Sequence, residues 1–260
     1  MHNKIEIKDL KKKFTDEWIT NGLDLDIPAH KMTCIIGPSG EGKSVLLKQI
    51  IGLIQPTSGS IVIDGNETVN LQSKARDNVF KKFGYVFQFA ALLDSLTVFE
   101  NIAIVELESG MPVAQARELV KEKLSLVYLD FDILNRYPSE ISGGMKKRVG
   151  LARTLMGNPE IILYDEPTTG LDPITTKVVH ALMADMQRTL NVTSLVISHD
   201  VDIFNYVDKV ALLYKGKIVS TVKDVKNIWD NQDPYIYQFI RGLVQGPIQP
   251  DRVHEKEEEL

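Results

Sequence analysis

The octapeptide Gly37-Pro38-Ser39-Gly40-Glu41-Gly42-Lys43-Ser44 constrains this chain more than any other stretch. It fits the pattern G-x-x-x-x-G-K-[ST], and its flanks fit as well. Met32-Thr33-Cys34-Ile35-Ile36 is a short apolar run, which reads as a buried strand feeding a loop. Ser44 to Leu53 reads as the helix that follows. A loop of this kind turns its backbone N–H groups toward phosphate oxygens, Lys43 reaches the β- and γ-phosphates, and the Ser44 hydroxyl coordinates Mg²⁺. Strand, Gly-rich turn and helix in that order open an α/β core.

The rest of the chain agrees. Ile5 and Ile7 alternate with polar residues, as do Leu23, Leu25 and Ile27, which is the period of half-buried strands. Ile61-Val62-Ile63 before Asp64-Gly65 reads as strand and turn, and Phe83 to Phe87 as a strand ending at Gln88. From residue 89 to about 157 the pattern becomes helical. Thr97-Val98-Phe99-Glu100 has the form of a capping box, and Pro112 to Val127 places Val113, Ala116, Leu119, Val120 and Leu124 at helical spacing. A further helix runs from Gly144 to Leu155, stopped by Gly157-Asn158-Pro159. Strands return at Ile161–Tyr164, Thr193–Ile197 and Val210–Leu213, with a crossover helix from Ile174 to Leu190. The first two are continuous apolar runs, as parallel strands covered on both faces require. The expected fold is therefore an α/β core interrupted by a helical insert.

Composition narrows the class of function. A 260-residue chain with 43% hydrophobic and 25% charged residues can bury a sizeable core, and its net charge of −5 gives no electrostatic case for nucleic acid. The single cysteine, Cys34, cannot form an internal disulfide; it reads as a core strand residue. Met1 to Glu6 lacks the apolar segment of a secretory signal, and no apolar run approaches the ~20 residues needed to cross a bilayer. Any membrane connection is expected to go through a partner.

Asp165-Glu166 follow an apolar strand at its C-terminal end, the edge where open α/β sheets bind ligands. Asp165 is placed to hold Mg²⁺, and Glu166 to act as general base or to position the attacking water. His199 follows strand 193–197 through Ser198, so a parallel sheet brings it to the same edge as a donor to the γ-phosphate or the water. Gln88 closes strand 83–87 within reach of the metal and the water. Phe14 is expected to stack on adenine, with Trp18 as a rival and core packing as the competing reading. Ile141-Ser142-Gly143-Gly144-Met145 is a second Gly-rich turn opening a helix, and so a second anion site. Two phosphate sites with one lysine-bearing loop suggest that two chains share each nucleotide.

From about residue 4 to 225 the chain resembles the ATP-binding cassette ATPases. The Walker A match is 37–44, Walker B 161–166, the Q-loop Gln88, the signature Ser142-Gly143-Gly144, the D-loop Thr169-Gly170-Leu171-Asp172 and the switch histidine His199. The resemblance implies a P-loop NTPase (RecA-like) core with an antiparallel β edge and an inserted α-helical subdomain near 89–157, in a domain spanning 1–245 with a tail over 246–260. It implies ATP and Mg²⁺ as cofactors, with Lys43, Gln88, Glu166 and His199 catalytic and Ser44, Gln88 and Asp165 at the metal. Nucleotide contacts would come from Phe14, Gly37 to Ser44, Val45, Ser142, Gly143, Gly144 and Asp172. Two copies would face head to tail, each ATP lying between one Walker A loop and the other chain's signature.

Met145 stands where the family usually has Gln. The run Ser142 to Arg148, the run Gln88 to Asn101, and Asp233-Pro234 through Gly246-Pro247 are similar to the subgroup serving Mla/Mce lipid transporters. That similarity implies a phospholipid transporter on the cytoplasmic face of a bacterial inner membrane. Its partners would be an MlaE-like integral membrane permease, an MlaD-like MCE-domain protein and an MlaB-like STAS-domain protein. Leu92, Leu93, Leu96 and Phe99 would either line a groove for a permease helix or form the insert's own core. The rivals are the same machine with another small cargo, and a soluble cassette protein acting on DNA or the ribosome. One cassette, no sustained heptads and a negative charge argue against the latter. The acidic run Glu255 to Glu259 is expected to be solvated.

Overall fold

A computed structural model describes residues 2–71 and 73–249. Two sheets divide the strands. The first is antiparallel, order β2-β1-β4-β5, from β1 (Asn3–Phe14), β2 (Glu17–Pro28), β4 (Ser58–Ile63) and β5 (Asn66–Glu67). The second runs β10-β9-β3-β8-β7-β6, from β3 (Met32–Ile36), β6 (Phe83–Val86), β7 (Ile161–Asp165), β8 (Thr193–Ile197), β9 (Lys209–Tyr214) and β10 (Lys217–Val222). Strands β9, β3, β8, β7 and β6 are mutually parallel, and β10 closes the edge antiparallel to β9.

Sequence periodicity explains which strands go where. Ile5, Ile7, Leu23, Leu25 and Ile27 turn inward from the half-polar strands of the antiparallel sheet. They share one apolar cluster with Ile35, Leu163, Leu195 and Leu213 of the parallel sheet. The opposite face of the parallel sheet, with Cys34, Ile36, Tyr164 and Val196, packs against the helices. These include α3 (Val98–Glu108), α4 (Val113–Leu126), α5 (Gly143–Leu155), α6 (Pro173–Leu190) and α7 (Pro234–Arg241). Both faces of β3, β7 and β8 are thus covered, which is why those strands read as unbroken apolar runs.

The helical stretch between β6 and β7 forms as its signals predict. Thr97 accepts from the Glu100 N–H while Glu100 accepts from the Thr97 N–H, a complete capping box on α3. Asp172 caps α6, accepting from the Ile174 and Thr175 N–H groups, and Pro173 occupies the first turn, where its missing N–H costs nothing.

Several expectations shift. The helix after the Gly-rich loop, α1, spans Lys43–Ile50 and stops short of Leu53, because Gly52 takes the left-handed conformation (φ 67°) that terminates helices. Val113 opens α4 and is exposed rather than buried. Of the four residues weighed between groove and core, Phe99 is buried and Leu92 packs on the core, whereas Leu93 is exposed. Helix α2 (Ser73–Phe80), β10 and α7 had no sequence expectation. Ile248, at the start of the supposed tail, is buried. The Gln238 side chain on α7 accepts from its N–H (2.7 Å) and donates to its carbonyl (2.8 Å). The acidic run lies outside the described residues.

Candidate functional site

Four adjacent parallel strands, β3, β8, β7 and β6, deliver their C-terminal ends to one edge of the sheet. Gly37, Ser198-His199, Asp165-Glu166 and Gln88 therefore emerge side by side, although they are scattered over more than half the sequence.

The loop after β3 is set by its glycines. Gly37 (φ 150°) passes so close to the Leu213 carbonyl of β9 that a Cβ would collide with it, and Gly42 (φ 84°) lies equally close to Ile19 of β2. Only glycine combines that backbone with that clearance. Glu41 accepts from the Lys215 N–H at 2.5 Å, pinning the loop to the β9–β10 turn. Lys43, 6% exposed, folds back across the loop and donates to the Gly37 and Pro38 carbonyls at 2.8 and 2.6 Å. Burial pushes its ammonium below the usual lysine range, and the carboxylates of Glu166, Glu41 and Asp165 oppose that shift.

The acidic pair sits across from it. Ser44 Oγ donates to Asp165 Oδ1 at 2.8 Å, so two of the three expected metal ligands are already in contact. Asp165 Oδ2 accepts from the Tyr85 hydroxyl, also at 2.8 Å. Burial, then the neighbouring Asp165 charge, raises the Tyr85 phenol and keeps it a donor. Glu166 adopts φ 48°, a region that non-glycine residues seldom enter. Its N–H is held by the Ile197 carbonyl (3.1 Å) and its carboxylate accepts from Thr169 Oγ1 (3.1 Å) and Gln88 Nε2 (3.5 Å). His199 Nδ1 lies 3.6 Å from the same carboxylate oxygen, and its ring is exposed. The Ser44 hydroxyl beside the Gly-rich loop and the Asp165 carboxylate at the end of β7 are oxygen donors of the kind that suit Mg²⁺, which takes one or two protein ligands alongside phosphate oxygens and water.

The structure thus joins Lys43, Ser44, Gln88, Asp165, Glu166 and His199 into one cluster. The Ser142 turn is separate: its hydroxyl accepts from the Met145 N–H (3.2 Å) as the cap of α5. Gly143 has open space where a Cβ would be, and Gly144 backs onto the Thr175 methyl. Met145, the departure from the family pattern, is partly buried and packs its side chain against the core. Phe14 and Trp18 are each 43% exposed, which sets aside the core-packing reading of Phe14 and leaves both rings available for stacking. Lys12 lies over the Phe14 ring and Lys13 over the Trp18 ring.

Tyr85 is the site residue that the sequence did not assign, and Thr169, named there only as part of the D-loop, proves to bond Glu166. Tyr85 stands one strand over from Asp165 and one residue from the end of β6; the β6–β7 pairing brings the hydroxyl to the carboxylate. A cleft of about 640 Å³ lined by Lys8, Asp26, Lys31 and Lys209 lies at the opposite strand ends, away from these groups.

Fold and cluster together define a P-loop nucleoside triphosphatase. Residues 20–169 match the family model described as ABC transporter. The chain is 39% identical over 247 residues to the probable ribonucleotide transport ATP-binding protein mkl of Mycobacterium leprae, covering 94% of this chain and 70% of that protein. It is 40% identical to the methionine import ATP-binding protein MetN of Carboxydothermus hydrogenoformans, covering 90% and 69%. It is 36% identical to the intermembrane phospholipid transport system ATP-binding protein MlaF of Haemophilus influenzae, covering 95% and 93%. Among solved structures it is similar to a dimeric post-hydrolysis state of the ATP-binding cassette MJ0796 bound to ADP and Pi, with TM-score 0.75, 30% identity, and 84% and 98% of the two chains covered. The chain belongs to the ABC transporter family: it is an ATP hydrolase and the ATP-binding subunit of such a transporter. No helix among the described residues is long and apolar enough to cross a membrane.

Proposed function

We propose that this chain powers a bacterial transporter that moves phospholipids between membranes. The observation that carries the reading is the relation to MlaF, which runs nearly end to end in both chains. The matches to mkl and MetN leave close to a third of each relative uncovered. The chain would sit on the cytoplasmic face of the inner membrane through an MlaE-like permease, with MlaD-like and MlaB-like subunits in the same assembly. Exposed Phe87, Phe89 and Leu93, just beyond β6, supply an apolar surface for the permease contact.

In the catalytic reading, the loop N–H groups from Gly37 to Val45 and the Lys43 ammonium hold the phosphates. Ser44 and Asp165, with Gln88, hold Mg²⁺, which when bound draws charge from the phosphate oxygens. Glu166 accepts a proton from the attacking water, His199 donates to the γ-phosphate, and Phe14 stacks on the base. General-base assistance of this kind contributes ~10²–10⁴-fold, about 3–5.5 kcal/mol.

Ser142, Gly143, Gly144 and Asp172 serve the nucleotide held by a second copy, as the dimeric form of the similar cassette supports. To move a pair of chains from 1:99 to 99:1 closed, ATP must favour the closed state by about 5.5 kcal/mol. Charge-assisted hydrogen bonds from both chains to one triphosphate are of that order.

Purification from native membranes with the permease, followed by mass spectrometry of bound small molecules, tests the cargo. Phospholipid enriched over a sample lacking the permease is expected; methionine or a ribonucleotide in its place overturns the lipid reading. The 40% identity to MetN is what keeps a small-molecule cargo as the second reading.

A further inference from the structure

Helix α5 carries Ser142 at one end, and along its length it grips the segment that carries Gln88. Four carbonyls of that segment accept from α5 side chains. Thr154 Oγ1 shares its proton between the Gly150 carbonyl of its own helix (3.0 Å) and the Tyr85 carbonyl (3.3 Å), Lys147 Nζ donates to the Gln88 carbonyl, and Arg153 to those of Ala90 and Ala91 (2.9 and 2.8 Å). The backbones are close as well: a Cβ at Gly150 would stand 3.3 Å from the Ala90 carbonyl oxygen, and one at Gly84 would press on the Thr154 methyl.

Lys147 is the unexpected member. In sequence it belongs to a basic triplet, Lys146-Lys147-Arg148. In the fold it is buried at 9% exposure, and among the described residues it forms no ion pair with a carboxylate. It lies in the second turn from the helix N-terminus, the end whose dipole gives a cation no support. Burial pushes its ammonium below the usual range. The Gln88 carbonyl is the partner that compensates.

We propose that α5 is a splint for the loop after β6, and that Lys147 is a positioning residue which sets Gln88 against the acidic pair. The splinted segment holds two of the side chains that touch that pair: Tyr85 on Asp165 and Gln88 on Glu166. A movement of the Ser142 end of α5 is thereby passed to the groups around Glu166 of the same chain. That the Ser142 end touches a second nucleotide rests on the head-to-tail reading above; the splint itself does not.

Hydrogen exchange of the full-length, nucleotide-free chain tests it without turnover. Lys147→Met removes the ammonium and keeps the stem, so amides from Phe87 to Leu92 exchange about tenfold faster, while Lys147→Arg retains wild-type exchange. Unchanged exchange in Lys147→Met overturns the proposal. The second measurement is a double-mutant cycle. Lys147→Met lowers kcat about tenfold in the wild-type background but less than about twofold when Gln88 is already Ala, because the residue acts through Gln88. Equal losses in both backgrounds overturn it too. Should Lys147→Met not fold, Lys147→Gln enters the same cycle with the same two outcomes. If ATP fails to pair the chains but the exchange result holds, the head-to-tail reading fails and the splint stands.

Discussion

The Lys43 end and the Ser142 end of the chemistry are built in opposite ways. Around Lys43, the ammonium, the Ser44 hydroxyl and both carboxylates of the Asp165-Glu166 pair already have partners, and the backbone is fixed by contacts that exclude a methyl group. Around Ser142 the helix N-terminus is capped, yet Gly143 faces open space, and among the described residues no side chain of the Lys43 cluster bonds to Ser142, Gly143 or Gly144. A finished, pre-organised half and an open anion-binding half on one chain are what a shared nucleotide requires. On the proposed reading the first half binds, and the second waits for a phosphate held by another copy.

Breaking the finished half has the largest effect. Glu166→Gln lowers ATP hydrolysis by ~10²–10⁴-fold while equilibrium binding of ATP stays at the wild-type level. A variant that hydrolyses at the wild-type rate removes Glu166 from the role assigned to it. Gly143→Asp breaks the open half instead. The site has room for the side chain, so the unfolding midpoint and single-chain ATP binding hold while hydrolysis falls ~10²-fold, because the new carboxylate repels the phosphate. Mixing Gly143→Asp with Lys43→Ala chains restores part of the activity, since one of the two shared sites is then intact. No recovery on mixing would mean that each chain works alone.

Smaller effects sharpen the inner geometry. Tyr85→Phe removes one hydrogen bond to Asp165, worth about 1 kcal/mol or roughly fivefold, and should appear as a raised Mg²⁺ requirement with little change in ATP affinity measured without metal. An unchanged Mg²⁺ titration would reduce Tyr85 to a packing residue.

The smallest effect on turnover comes from His180 of α6, fully buried with neither ring nitrogen hydrogen-bonded among the described residues. Burial lowers its pKa below the ordinary 6.5, against the pull of Asp200 and Asp202. Below about pH 6.5 the unfolded chain therefore binds a proton that the folded chain refuses, and stability falls as the pH drops. His180→Leu flattens that slope and stabilises by about 1 kcal/mol, read by chemical denaturation at pH 5 and 7. A slope that persists in the variant assigns the acid sensitivity to other groups.

The finished half was the more legible in sequence. Its residues lie at the ends of strands, and apolar runs of four or five residues locate those ends within a residue. Lys43, Ser44, Asp165, Glu166 and His199 could be placed from that alone. What sequence could not show was pairing across strands and across elements. Tyr85 reaches Asp165 because β6 pairs with β7, and Lys147 reaches Gln88 because α5 lies along the loop after β6. Neither relation has a local period. The two-residue strand β5, the edge strand β10 and the helices α2 and α7 were missed for a related reason. All are short; β5, β10 and α2 are partly exposed and lack a sustained apolar pattern, whereas α7 does bury Ile236 and Ile240 at helical spacing but over only two turns. Ile248 is the same lesson in miniature, one apolar residue fixed by a buried glutamine ten positions earlier.

Sedimentation of the Glu166→Gln chain with ATP tests the shared nucleotide most directly. A dimer is expected with ATP and Mg²⁺, a monomer with ADP, and a monomer with ATP once Gly143→Asp is added. A Glu166→Gln chain that stays monomeric at saturating ATP, or that pairs equally well with Gly143→Asp in place, would contradict it.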